Sequence, residues 1–230
     1  MVQNLKTNAI ILRRTNYREA DRILTVLTPH NGQIAVIAKG VRREQSRLAG
    51  GIELFAECEL NLVRSSMNID GMWTLTGSRI VSFYDQIMTD YDRLQFGYEA
   101  IKKVADLSNV IDSPELYQII LSVIRLLNNQ AIDLRLIKAW FYLRVARLSG
   151  SELNLFTDIS GMKLVEGASY NFDLANNAFV YSDQGQYQSN TIKLLRLMMA
   201  NDAALLARLR GLDDKAISDA FYLSQVAAGK

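Results

Sequence analysis

The sequence predicts an α+β protein: a five-stranded OB-fold β-barrel over residues 1–81, followed by an α-helical domain over 82–230 with a small irregular insert at about 151–190. Three observations predict it. Short runs rich in β-branched residues, punctuated by turn residues, occupy the first part of the chain. Past Tyr84 the apolar period changes from two to about 3.6. Between 151 and 190 helical periodicity lapses again, and Gly161, Gly167, Asn176, Asn177 and Gly185 accumulate.

Residues 9–14 read as a first strand and 22–28 as a second. Pro29, His30, Asn31 and Gly32 make the turn that follows; Asn-Gly accepts positive φ at low cost, so 22–28 and 33–38 form a hairpin. From Ile52 to Leu62 strict alternation puts Ile52, Leu54, Ala56, Cys58, Leu60 and Leu62 on a core face. Glu53, Glu57, Glu59 and Asn61 fall on a wet one. A last strand runs from Met72 through Thr76 toward Ile80. Five short strands with turns between them suit a small Greek-key barrel of the oligonucleotide-binding type.

The first helical face is marked by Leu94, Tyr98, Ile101 and Ala105. Ser113, Pro114 and Glu115 open a second helix, with serine as N-cap and proline at the first helical position. A third carries Leu134, Ile137, Phe141, Val145 and Leu148 and stops at Gly150, a site for a left-handed cap. The three are expected to form a packed bundle. In the insert, residues 170–173 and 178–181 read as a short hairpin, and helices return around Ile192, Leu205 and Ile217.

No apolar run approaches the ~20 residues needed to span a bilayer, so no membrane partner is expected. The start lacks the pattern of an export signal, and Cys58 is the one cysteine, which fits a reducing, cytoplasmic setting. The net charge of +2 hides an asymmetry. Residues 1–50 hold nine cations against three acids, a net of +6, which leaves −4 on the remainder. A polyanion partner would therefore be met by the amino-terminal part.

The densest cationic stretch follows the strand 34–38: Lys39, Gly40, Val41, Arg42, Arg43, Glu44, Gln45, Ser46, Arg47. Lys39, Arg42, Arg43 and Arg47 against one acid outline a phosphate-facing loop, and a solvated charged loop is the plainer alternative. Arg13 and Arg14 point to opposite faces of the first strand, so at most one shares that surface; Arg14 is the candidate. Tyr17, among polar neighbours, is a candidate stacking platform, whereas Trp73 fits the core better than a stacking role. No catalytic constellation emerges. The lone histidine, His30, lies in a turn, and neither a phosphate-binding glycine loop nor a nucleophile elbow occurs, so the chain is expected not to be an enzyme and to need no cofactor.

The run Arg18-Glu19-Ala20-Asp21-Arg22-Ile23-Leu24-Thr25-Val26-Leu27-Thr28, then Gly32, then Lys39-Gly40-Val41-Arg42-Arg43 with Ser46-Arg47-Leu48 and Gly50, resembles the amino-terminal signature of the bacterial RecO recombination-mediator family. Ala139 to Gly150, followed by Leu153, Asn154 and Leu155, is similar to a later helix of that family. The resemblance implies an OB barrel joined to a helical domain, and a non-catalytic role in recombinational repair at the nucleoid. It implies binding of single- and double-stranded DNA, strand annealing, contact with the acidic carboxy-terminal tail of the single-stranded-DNA-binding protein, and loading of the RecA recombinase with RecR.

By the same resemblance Lys39, Arg42, Arg43 and Arg47 lie in the DNA segment, and Lys138 falls near a basic position tied to the acidic tail. Arg135, Lys138 and Arg144 with their apolar neighbours could then form a cleft for such a tail. Many family members hold zinc with cysteine pairs in the insert. Here the insert has neither cysteine nor histidine, so no metal is expected and packing of Leu155, Phe156, Tyr170, Phe172, Phe179 and Tyr181 must replace it. That divergence leaves a second reading, a protein-interaction adaptor whose barrel no longer uses DNA.

Overall fold

Five strands, β1 (Val2–Tyr17), β2 (Asp21–Thr28), β3 (Gly32–Ala38), β4 (Ala56–Ser65) and β5 (Trp73–Phe83), close into a barrel in the order β1-β2-β3-β5-β4. They are seen in a computed structural model that describes residues 2–65 and 71–229. Neighbours are antiparallel except β3 and β5, which pair in parallel where Val36 meets Trp73 and Ile37 meets Thr74. This is the OB arrangement the sequence predicts. The β2–β3 hairpin turns through Pro29, His30 and Asn31, and Gly32, which pairs with Thr28, adopts a φ of 59°.

β1 is longer than its apolar centre. It pairs with β4 from Val2 to Ile10 and with β2 from Ile10 to Tyr17, so one strand serves two neighbours. Its polar ends, Gln3 to Thr7 and Thr15 to Tyr17, carry no apolar alternation, which is why the sequence pattern marks only the middle. Ala9 and Ile11 point into the barrel core with Leu24, Val26, Leu60 and Trp73. Trp73 is thus a core residue. Ile10 and Leu12 face outward yet are buried, because α1 (Tyr91–Leu107) and α2 (Glu115–Leu127) pack on β1.

The chain accordingly divides into two compact units, Met1–Asn128 and Asn129–Lys230. The change from strand to helix near residue 82 falls inside the first unit. Helices α1 and α2 belong with the barrel, whereas α3 (Leu134–Leu148) packs with α4 (Ser189–Ala200) and α5 (Asp214–Ala227). The three-helix bundle expected from α1, α2 and α3 is replaced by these two groupings.

Packing of α2 on the barrel also corrects the reading of β4. Glu57, placed on the wet face by alternation, is buried; Asn8 Nδ2 and the Tyr117 hydroxyl donate to its Oε1, and Arg125 Nη2 to its Oε2. Upstream, Phe55 breaks the alternation with a left-handed φ of 55° and is itself buried against Gly97 of α1. The buried face of α1 runs through Phe96, Gly97, Ala100, Ile101 and Val104, leaving Tyr98 half exposed at its edge. Ser113 Oγ accepts from the Glu115 N–H at the start of α2, while the N-cap position itself falls at Pro114, one residue later than the serine-proline pair predicts.

In the second unit Asp133 caps α3 and Gly150 ends it with a φ of 73°, the Ser151 N–H reaching back to Ala146 O. The insert is a four-stranded sheet of β6 (Asn154–Asp158), β7 (Ser169–Asp173), β8 (Ala178–Tyr181) and β9 (Tyr187–Gln188), ordered β6-β8-β7-β9. Its expected hairpin is β7 with β8. Leu155, Tyr170 and Phe179 are buried and Tyr187 joins them; Tyr181, 57% exposed, keeps its ring edge-on to Tyr170, whereas Phe156 is 68% exposed, outside the packed cluster assigned to it. The helix expected around Leu205 is a short 3-10 turn, Ala203–Ala207. Among the described residues no helix is long and apolar enough to cross a membrane.

Candidate nucleic-acid interface

The β1–β2 turn and the loop after β3 meet at one end of the barrel. Arg18 takes a φ of 51° in the turn, and Gly40 a φ of 63° in the loop. A carboxylate oxygen of Asp21 accepts the Gly40 N–H at 2.7 Å, and the Arg42 N–H donates to Ala20 O at 2.9 Å. Arg42 Nη1 reaches Arg18 O at 3.4 Å. Successive turns, Arg43 N–H to Gly40 O and Ser46 N–H to Arg43 O, carry the loop on. Val41 and Ile52 insert into the barrel core and fix both of its ends.

Lys39, just before the first anchor, and Arg42, Arg43 and Arg47, between the two, are exposed. Among the described residues none of the four makes an ion pair. By contrast, the three glutamates at 53, 57 and 59 each hold a basic side chain: Glu53 pairs with Arg14, Glu57 with Arg125, and Glu59 with Arg79 and Lys6. The loop cations remain turned to solvent, where a polyanion can reach them. Tyr17 is exposed at the neighbouring turn, with the Arg18 guanidinium 5.1 Å from its ring centre.

Arg14, expected at this surface, is placed differently. Its Nη1 lies 2.8 Å from Glu53 Oε2 and 3.4 Å from Ile52 O, so its charge is neutralised where the loop re-enters the barrel. Arg18 and Asp21 are the residues that sequence reasoning passed over. Both stand in the Arg-Glu-Ala-Asp-Arg run, whose spacing was the available signal.

The second expected site, on α3, is not assembled as a basic cleft. Arg135 is held by Asp133 at 2.6 Å and Asp214 at 2.7 Å, with Nη1 donating to Ser218 Oγ. Asp133, then Asp214, push its pKa above the ordinary arginine value. Arg144 donates to Met198 O and Met199 O at the end of α4. Lys138 Nζ lies 5.7 Å from the Phe221 ring centre, an aromatic surface beside a cation.

Among the described residues no cluster of histidine, cysteine, aspartate or glutamate could hold a metal. Cys58 is buried in the barrel, and burial raises its thiol to about 11. The insert contains neither cysteine nor histidine. Its turns are closed by carboxylates instead: Asp158 accepts from Ser160 Oγ, the Ser160 N–H and the Met162 N–H. The Ser160 hydroxyl, with the backbone donors, lowers the Asp158 pKa.

The family model for "Recombination protein O N terminal" matches residues 1–84, the barrel together with its basic loop. A "DNA repair protein RecO" of Dehalococcoides mccartyi is 30% identical over 215 residues, covering 90% of this chain and 83% of that protein. The chain belongs to the RecO family. Its RecO relatives include one of Roseiflexus sp., 37% identical over 134 residues, which cover 57% of this chain and 45% of the relative. Another, of Acetivibrio thermocellus, is 35% identical over 104 residues, or 45% of this chain and 39% of the relative. Membership of the RecO family places the chain among recombination and DNA-repair proteins.

Proposed function

We propose that the protein is a non-catalytic, DNA-binding mediator of recombinational repair. It binds single- and double-stranded DNA, anneals complementary strands, and helps load the RecA recombinase together with RecR in the cytoplasm at the nucleoid. One observation carries the reading: Lys39, Arg42, Arg43 and Arg47 are exposed, and among the described residues make no ion pair, on a loop docked on an OB barrel. Phosphates neutralise such cations and release counterions on binding, so affinity falls steeply with salt. Tyr17 beside them offers a ring on which an unpaired base can stack.

Annealing follows if the protein screens phosphate repulsion between two strands. The acidic tail of the single-stranded-DNA-binding protein would then meet the second unit at Lys138 and Phe221, where a cation and an aromatic face lie together, with Arg135 already occupied by its own acids. The test is annealing of two labelled complementary oligonucleotides followed by fluorescence transfer. The wild type accelerates annealing and Lys39→Ala/Arg42→Ala/Arg43→Ala does not; equal acceleration by both would refute the reading.

A further inference from the structure

We infer that Asp21, although an acid amid the cations of the DNA surface, is the positioning residue that makes that surface competent. The inference rests on the DNA-binding reading above and adds a role opposite to the one charge alone would give. A carboxylate beside phosphate-binding arginines repels the ligand, and its removal should strengthen binding if charge were all that mattered.

The geometry argues otherwise. Asp21 opens β2 opposite Tyr17, and its Oδ1 accepts the Gly40 N–H at 2.7 Å. Gly40 is the left-handed pivot between Lys39 and Arg42, so the orientation of its peptide sets where both side chains leave the barrel. The Arg42 N–H to Ala20 O bond supplies the second tie, and the Arg43 N–H to Gly40 O bond closes the turn. Without the carboxylate, the Gly40 amide keeps its donor but loses its anchor. The loop then pays the ordering entropy of its long cationic side chains at the moment of binding.

The experiment compares Asp21→Ala, Asp21→Asn and Asp21→Glu in the full chain. Each is measured by anisotropy with labelled oligothymidylate at several salt concentrations, and by the rate of tryptic cleavage after Lys39, Arg42, Arg43 and Arg47 without DNA. Alanine and asparagine remove the same charge, but asparagine keeps an acceptor oxygen at the same reach. Asp21→Ala should bind roughly three- to tenfold more weakly, as loss of one anchoring hydrogen bond predicts, and its loop should be cleaved faster. Asp21→Asn should bind at least as tightly as wild type and be cleaved at the wild-type rate. Asp21→Glu, with charge kept and the acceptor displaced, should lose affinity, and it decides the matter should the alanine variant not fold.

Tighter or unchanged binding by Asp21→Ala, equal weakening by Asp21→Asn, or wild-type affinity in Asp21→Glu would each overturn the inference. A wild type that shows no salt-dependent binding would instead overturn the proposed function. The cleavage rates would still decide whether Asp21 holds the loop.

Discussion

The Tyr117 hydroxyl donates to Glu57 Oε1 at 3.1 Å, joining α2 to β4 within the first unit. Burial, then the negative charge of Glu57, hold the Tyr117 pKa well above the ordinary tyrosine range, so the hydroxyl keeps the proton it donates. Asn8 and Arg125 complete the shell around a carboxylate that is only 7% exposed. Tyr117→Phe leaves one acceptor site of a buried charge unfilled and should destabilise the chain by about 1–3 kcal/mol. Urea denaturation of wild type and variant measures it, and an unchanged midpoint would show the contact to be dispensable.

Gly97 has no room for a side chain. A Cβ there would lie 2.7 Å from Phe55 Cε1, and Phe55 is itself buried, its ring edge-on to Tyr98 with centroids 5.1 Å apart. Gly97→Ala gains helix propensity yet should still destabilise by about 1–3 kcal/mol through overpacking. Thermal denaturation checks the sign; a stabilised variant would mean that the ring moves freely.

Arg14 and Arg43 should part company in DNA binding. Arg43 makes no ion pair among the described residues, while Arg14 is held by Glu53 at 2.8 Å. Arg14→Ala should alter affinity for a labelled single strand by less than about twofold, whereas Arg43→Ala should weaken binding and flatten the salt slope by about 0.7, the share of one phosphate contact. Equal losses from both substitutions would place Arg14 in the interface.

Acid should reveal the barrel's outer ion pairs. A hydrogen bond from Arg79, with Lys6 adding to it, lowers the Glu59 carboxyl to about 2. Because that folded value lies below the ~4.3 of an unfolded glutamate, the pairing contributes fully above that pH and is lost as pH falls through the folded value. Glu59→Gln lacks this pH-dependent share. The gap in melting temperature between wild type and Glu59→Gln should therefore close as pH is lowered from about 5 toward 2; a gap independent of pH would contradict it.

Much of this was legible in the residues because local chemistry and tertiary structure agree. Asn31 and Gly32 specify their turn, Gly150 its cap, and the alternation from Ala56 to Leu62 a barrel face. Where they disagree, a long-range partner has overridden a local pattern. Glu57 reads as wet until α2 arrives from sixty positions away, and Phe55 reads as wet-face until Gly97 receives it. The candidate DNA loop was visible as a cluster of charge, but periodicity could not say which acids would reach which cations. Arg14 and Arg135 proved to be paired, and Arg18 and Asp21 proved to be neighbours of the loop. In the insert, aromatic content was readable but not which rings turn inward: Phe156, expected in the packed cluster, is exposed, and Tyr187, which the pattern did not single out, is buried.

The most direct measurement is the salt dependence of single-strand binding by wild type and by Lys39→Ala/Arg42→Ala/Arg43→Ala, followed by anisotropy. Three lost phosphate contacts should weaken binding and flatten the slope of log affinity against log salt by about two, at ~0.7 per contact for a single strand. A triple variant with the wild-type affinity and slope would contradict the claim that this loop is where the protein meets DNA.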